Sequence, residues 1–292
     1  MMRILLFLGT NIAVMALLGL TFSLFGIQGL LADNGVDLNL NALLMYAAVI
    51  GFSGAFISLF LSKFLAKRSM EVHIIVDAEN QTERWLVETV QKMAKTAGIW
   101  MPEVGIFSHS SPNAFATGWN KNNALVAVST GLLDAMPKNE VEAVLAHEVS
   151  HVANGDMVTM TLIQGVVNTF VVFLSRIIGH IVDRVVFKVE RGHGPAFWIV
   201  SFIAEILLGL FATVIVMWFS RYREFKADAG GAKLAGNHNM LAALQRLQSF
   251  KGAPKLPDEM AAFAINAGKV QAIFSSHPPL EQRIAALQNL RL

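Results

Sequence analysis

Asn139–Asp156, NEVEAVLAHEVSHVANGD, is the stretch whose reading decides the fold. Its pattern is helical, and His147 and His151 stand four residues apart, so both imidazoles project from one face about one turn apart. Glu148 lies roughly 100° further round the axis. Two neutral imidazoles on a rigid support can converge on one ion while an adjacent carboxylate reaches a water beside it, which is the chemistry this spacing serves. The residue frequencies of the chain predict about 0.01 chance HExxH matches over its length, so an ordinary amphipathic helix carrying two polar histidines is the poorer reading. Asn139 is expected to cap the helix, with Glu142 at the third helical position as in a capping box. Leu145, Val149 and Val152 are expected to form its apolar stripe.

Outward from that stretch the composition changes the setting. The chain has 292 residues, 54% of them hydrophobic and 15% charged, with mean hydropathy +0.51, which is the balance of a membrane protein rather than of a wholly soluble one. A net charge of +2 and the absence of a Lys/Arg run interleaved with aromatics give no support to nucleic-acid binding. With no cysteine in the chain, a disulfide framework and a thiolate metal site are both excluded, so a metal must be held by His and carboxylate groups.

From the N-terminus, residues 4–27 are uncharged and long enough to cross a hydrocarbon core, and read as an uncleaved first span. Asp33-Asn34-Gly35 marks a turn, and residues 38–62 form a second uncharged span with small residues at Gly51, Ser53, Gly54 and Ala55. Arg3 before the first span and Lys63, Lys67 and Arg68 after the second place both ends in the cytoplasm. Residues 78–97 read as an amphipathic helix stopped by Gly98. Residues 104–107 and 125–129 read as short strands with Asn113–Thr117 between them, then a polar turn at 120–123, and residues 132–136 as a helical turn before Pro137.

Beyond the HEVSH helix, Gly155-Asp156 should break the chain. Residues 157–175 are a third uncharged stretch, 176–194 read as a connecting loop, and 195–220 form a fourth stretch interrupted by Glu205. An intramembrane carboxylate calls for a partner, and Arg176 is the expected one. Whether this hairpin crosses fully or not, it returns the chain to the side from which it left. It is followed by SRYREFKAD, where Glu224 and Asp228 share a helical face, so Glu224 is expected as the third ligand and Asp228 as the group that orients a ligand histidine through its other ring nitrogen. The plainer reading of this segment is a solvated helix of alternating charge.

HEVSH, REFKAD, NAFATG, the intervening hydrophobic hairpin and SSHPPLEQRI together resemble the HtpX membrane metallopeptidases, relatives of the CAAX prenyl endopeptidases, over essentially the whole chain. The resemblance implies an α-rich integral membrane protein whose transmembrane helices accompany a zincin-like α+β catalytic domain with a small β-sheet. The expected divisions are 1–68, an N-terminal transmembrane hairpin; 69–156, a catalytic part with the sheet and the HEVSH helix; 157–219, a second hydrophobic hairpin; and 220–292, a catalytic part with the third ligand and the terminal helices. It implies one Zn2+ per chain on His147, His151 and Glu224, Glu148 as general base and Asp228 behind a ligand. It also implies that Asn113, Ala114, Phe115, Ala116 and Thr117 form an edge strand for an extended substrate, and that His277 assists the transition state. The remaining histidines, His73, His109, His180, His193 and His238, lack ligand spacing and read as ordinary loop or surface residues.

The expected activity is zinc-dependent hydrolysis of peptide bonds in damaged or misfolded membrane proteins, a quality-control role linked to stress. The expected site is the inner (cytoplasmic) membrane, multi-pass, with the catalytic residues on the cytoplasmic side. The partners implied are polypeptides, chiefly membrane proteins, and the lipid bilayer, with no nucleic acid. A protease that trims one specific precursor is the narrower alternative. A non-proteolytic zinc-containing scaffold is the alternative from another class, and the intact Glu148 argues against it.

Overall fold

In the computed structural model, Gly29 and residues 38–190, 192–250 and 276–290 are described. The proposed first span and the turn at Asp33–Gly35 lie outside the described residues, so of the first hairpin only the second span is described. The described elements run in the order α1 (Leu40–Ser69), β1 (His73–Ile74), α2 (Gln81–Ala97), β2 (Glu103–Phe107), β3 (Ala114–Asn120), β4 (Asn123–Ser129), α3 (Thr130–Ala135), α4 (Lys138–Asn154), α5 (Asp156–Ile181), a π-helical turn (Val182–Val186), α6 (Pro195–Ala235), α7 (Asn237–Phe250) and α8 (Leu280–Gln288).

The chain divides into two compact units, one holding the residues up to Ile57 with Thr161–Val216 and the other Ser58–Met160 with Met217–Leu292. Within the first unit Leu40, Leu44 and Ala47 of α1 pack with Val172 and Phe173 of α5. Among the described residues, three helices are long and apolar enough to cross a membrane, spanning Leu40–Ser69, Asp156–Val186 and Pro195–Ala235. The loop expected over 176–194 is shorter than that. Helix α5 runs on through Arg176 to Ile181 and a π-helical turn reaches Val186, because Asp183 is fully buried and its carboxylate accepts the backbone N–H groups of Gly194 (2.9 Å) and Phe197 (3.3 Å), capping the start of α6. Arg176 Nη1 stands 3.5 Å from Glu205 Oε2, the pairing that an intramembrane carboxylate requires.

The second unit is built on a four-stranded sheet in the order β1-β2-β4-β3. Strand β4 pairs parallel to β2 and antiparallel to β3, so β4 is central and β3 is an edge. That position explains why Leu125–Val128 are apolar without alternation, since all four are at most 1% exposed. Helix α2 begins at a side-chain cap, where Asn80 Oδ1 accepts from Glu83 N–H (2.9 Å), and its Leu86 and Val90 are buried against the sheet core with Leu145, Val149 and Val152 of α4.

The expected cap on α4 is not formed. Pro137, with ψ 157°, is the N-cap and makes no side-chain cap hydrogen bond, so the helix starts one residue before Asn139. Proline presets the φ of the entry, and its carbonyl accepts the N–H groups of Glu140 (3.0 Å) and Val141 (3.1 Å). Asn139 instead donates to Asn239 Oδ1 (3.3 Å), and Glu142 accepts from the Trp85 indole (3.3 Å). At the other end Gly155 has φ 66°, the left-handed conformation that favours glycine, and its N–H caps the carbonyls of His151 and Val152. The chain turns there and resumes at once as α5, which fixes Asp156 one turn beyond His151.

Candidate metal centre

Helix α4 presents His147 and His151 as the spacing predicts, with their Nε2 atoms 3.1 Å apart and the rings edge to face. The C-terminal part of α6 brings Glu224 to the same point: its carboxylate lies 3.2 Å from His151 Nε2 and 3.5 Å from His147 Nε2. One donor atom from each of the three lies within 4.8 Å of the others. Glu224 is 2% exposed and His147 6%, so polar atoms here cannot rely on water. The close approach of the helices comes from small residues. A Cβ on Gly231 would stand 3.1 Å from the His147 backbone N, and one on Gly230 2.7 Å from Ser150 Oγ.

Each ligand imidazole is held from behind by a carboxylate. Asp228 Oδ1 stands 2.9 Å from His147 Nδ1, the orienting role its spacing suggested. Asp156 Oδ2 stands 2.6 Å from His151 Nδ1, a contact the sequence reading missed by treating Gly155-Asp156 only as a break. The five-residue offset across a left-handed glycine was the available signal. Arg283 was also missed. It is 7% exposed and forks onto Asp228 through Nε (2.8 Å) and Nη2 (2.6 Å), with Nη1 3.3 Å from Glu224. No local pattern could have paired it with a residue 55 positions earlier.

Burial favours the neutral form of both imidazoles. At His147 the Asp228 and Glu224 carboxylates outweigh it and raise the pKa, and at His151 Asp156 and Glu224 raise it to about 9. Burial also lowers the pKa of Arg283, yet pairing with Asp228 leaves it raised. The carboxylates around the two rings therefore favour positive charge in the cluster. Two imidazoles, a buried carboxylate and no sulfur form a donor set that fits a divalent ion, with the back nitrogens already held as ligand imidazoles require.

Glu148 is half-buried and lines a cavity of about 150 Å³ together with His147, Asn113, Ala114, His277 and Arg283. His277 is 57% exposed at its side chain, with Nδ1 2.7 Å from Glu224 Oε2. Asn113 precedes edge strand β3 and is tied to β4 through Ser129, whose Oγ accepts from Asn113 N–H (2.9 Å) and whose own N–H donates to the Asn113 carbonyl (2.9 Å). Ala114–Thr117 are half-buried along that edge. The candidate ligands, Glu148, Asp228, His277 and the start of β3 thus gather in one unit.

The chain is similar to known proteins in sequence and in fold. The profile of Peptidase family M48 matches residues 80–291. A relative described as Protease HtpX from Pseudoalteromonas atlantica is 74% identical over 99% of both chains, and a Protease HtpX from Thioalkalivibrio sulfidiphilus is 60% identical over 100% of both. Among solved structures, the Ste24p of S. mikatae superposes with a TM-score of 0.63 at 19% identity, covering 94% of this chain and 67% of that one, which is a likeness of fold.

Proposed function

This chain belongs to peptidase family M48, with HtpX proteases as full-length relatives, and from that premise we propose that it is a zinc endopeptidase acting on damaged or misfolded membrane proteins. It is a membrane-bound metalloprotease by family and by its long apolar helices. The finer reading places it in the inner membrane with the catalytic residues on the cytoplasmic side, supported by Lys63, Lys67 and Arg68 at the end of α1. It keeps the hydrophobic hairpins 1–68 and 157–219 alternating with the catalytic parts 69–156 and 220–292. The observation that carries the reading is the buried carboxylate of Glu224 facing both Nε2 atoms of the HEVSH pair.

His147, His151 and Glu224 would hold one zinc ion, with Asp228 and Asp156 fixing the two rings. When bound there, zinc supplies Lewis acidity toward a peptide carbonyl and makes water acidic enough to lose a proton near neutral pH. Glu148, on the cavity wall next to His147, is the general base: it accepts a proton from the attacking water and gives one to the departing amine. An extended polypeptide pairs along Ala114–Thr117, on the strand that ends the sheet among the described residues, with Asn113 at its entrance. His277, whose Nδ1 is held 2.7 Å from Glu224 Oε2, turns the rest of its ring to the cavity, where it assists the oxyanion.

The test is cleavage of an unfolded membrane-protein substrate by the purified chain in detergent. Glu148→Gln is expected to retain the metal and to lose at least about a hundredfold in rate, the low end of what a positioned general base contributes. Glu224→Ala is expected to lose both metal and activity. Undiminished cleavage by Glu148→Gln would remove the proposed base, and cleavage insensitive to chelation would remove the metal.

A further inference from the structure

Outside that centre, His180 near the end of α5 and His193 just before α6 place their Nε2 atoms 3.1 Å apart, with ring centroids 4.6 Å apart. The HEVSH pair shows the same two values. Their offset of 13 residues matches no helical spacing, so the sequence carries no local sign of the pair. We propose that His180 and His193 form a second metal site, which takes a late first-row divalent cation, Zn2+, Ni2+ or Cu2+, between their Nε2 atoms.

The donor geometry suits such an ion. Two nitrogens at bond lengths of about 2.0–2.1 Å, subtending about 100°, stand about 3.1 Å apart. The connection is built to hold them so. Asp183 fastens the turn to the start of α6 through the N–H groups of Gly194 and Phe197. Arg184 donates to the carbonyls of Val189 and Gly192, closing the loop that carries His193. Phe197 flanks both rings, with centroids 4.8 Å from His180 and 4.0 Å from His193. The pair is therefore positioned before any ion arrives, and little ordering entropy remains to be lost on binding.

The chemistry of the donors selects the cation class. Imidazole suits zinc, nickel and copper, and affinity for divalent ions rises along the first-row series to copper. Asp183 gives both carboxylate oxygens to backbone N–H groups, and among the described residues the two imidazoles are the ligands this site offers. The remaining positions belong to water, since His193 is exposed. A site with two protein ligands releases its ion more readily than one with three, and this one is expected to empty first under a mild chelator.

Equilibrium dialysis of the stripped full-length chain in detergent against Zn2+ or Cu2+ alone, with metal counted by mass spectrometry, tests the assignment. Wild type is expected to bind a second ion per chain that His193→Ala loses, while His193→Ala keeps peptidase activity within about twofold, as expected for a residue remote from transition-state contacts. Cu2+ bound to the His147→Ala/His151→Ala chain is expected to show nitrogen hyperfine splitting in its electron paramagnetic resonance spectrum. Equal metal content in wild type and His193→Ala would overturn the proposal. The count does not depend on proteolysis, so an inactive wild type that still binds the second ion would sink the peptidase reading and leave this site standing.

Discussion

Asp156 and Arg283 decide how firmly the candidate ligands are aimed. An imidazole whose back nitrogen is bonded to a carboxylate has one tautomer and one ring orientation left, and losing such a partner typically costs 10–100-fold in metal affinity. Asp156→Ala is therefore expected to weaken metal binding by roughly that factor while leaving α4 in place, and cleavage should recover as free Zn2+ is raised. Chelator competition checks the first part and activity against metal concentration the second. Arg283 acts on the other ring at one remove: it neutralises Asp228, which orients His147.

At the scale of elements, the contact between α4 and α6 controls whether Glu224 reaches the histidines. Gly231→Leu would drive a branched side chain into the α4 backbone at His147, where even a Cβ meets its N at 3.1 Å. Backbone cannot swing aside as a flexible side chain can, so this variant is expected to lose metal and activity together, with a stability loss of about 1–3 kcal/mol from overpacking. Metal content and thermal unfolding measure the two effects. The end of α1 is tied to β2 by Glu103, which pairs with Lys63 (2.9 Å) and with Lys67. Burial raises the pKa of Glu103, but the two lysines outweigh it and leave it lowered. A carboxyl with a lowered folded pKa stabilises above its ordinary value of 4.5 and loses that contribution as pH falls through the folded value. The group is partly exposed, so the screened gain is about 0.5 kcal/mol. Glu103→Gln is expected to lower stability by that much at pH 7 and by progressively less below pH about 4.5, followed by unfolding midpoints across pH.

For the whole molecule, the second unit is assembled from chain segments on either side of Thr161–Val216. His147 and His151 come from the first of them and Glu224 from the second, so an ion binding all three stabilises the folded unit over its separated parts. With free metal a hundredfold above Kd that linkage is worth about 2.7 kcal/mol. Chelation is expected to lower Tm by several degrees, given about 2–4 °C per kcal/mol for units of this size. A Tm that does not move on chelation would show that the three groups do not hold a metal jointly. The sequence by itself determined the HEVSH pair, Glu224 and Asp228 on one helical face, the long apolar stretches and the main strands. All of these are written in short-range periodicity, which one or two turns of helix or a run of β-branched residues suffice to express. It misread the cap at Asn139, because Pro137 starts the helix without a side-chain acceptor. It also overextended the 176–194 loop, because Asp183 stabilises helical turns that composition does not signal. Only the tertiary structure decided that Asp156 backs His151, that Arg283 neutralises Asp228, and that His180 meets His193. Those partners are joined by a glycine turn, by 55 residues of chain and by a hairpin connection. Across such separations sequence carries no periodic signal, and only packing fixes the distance.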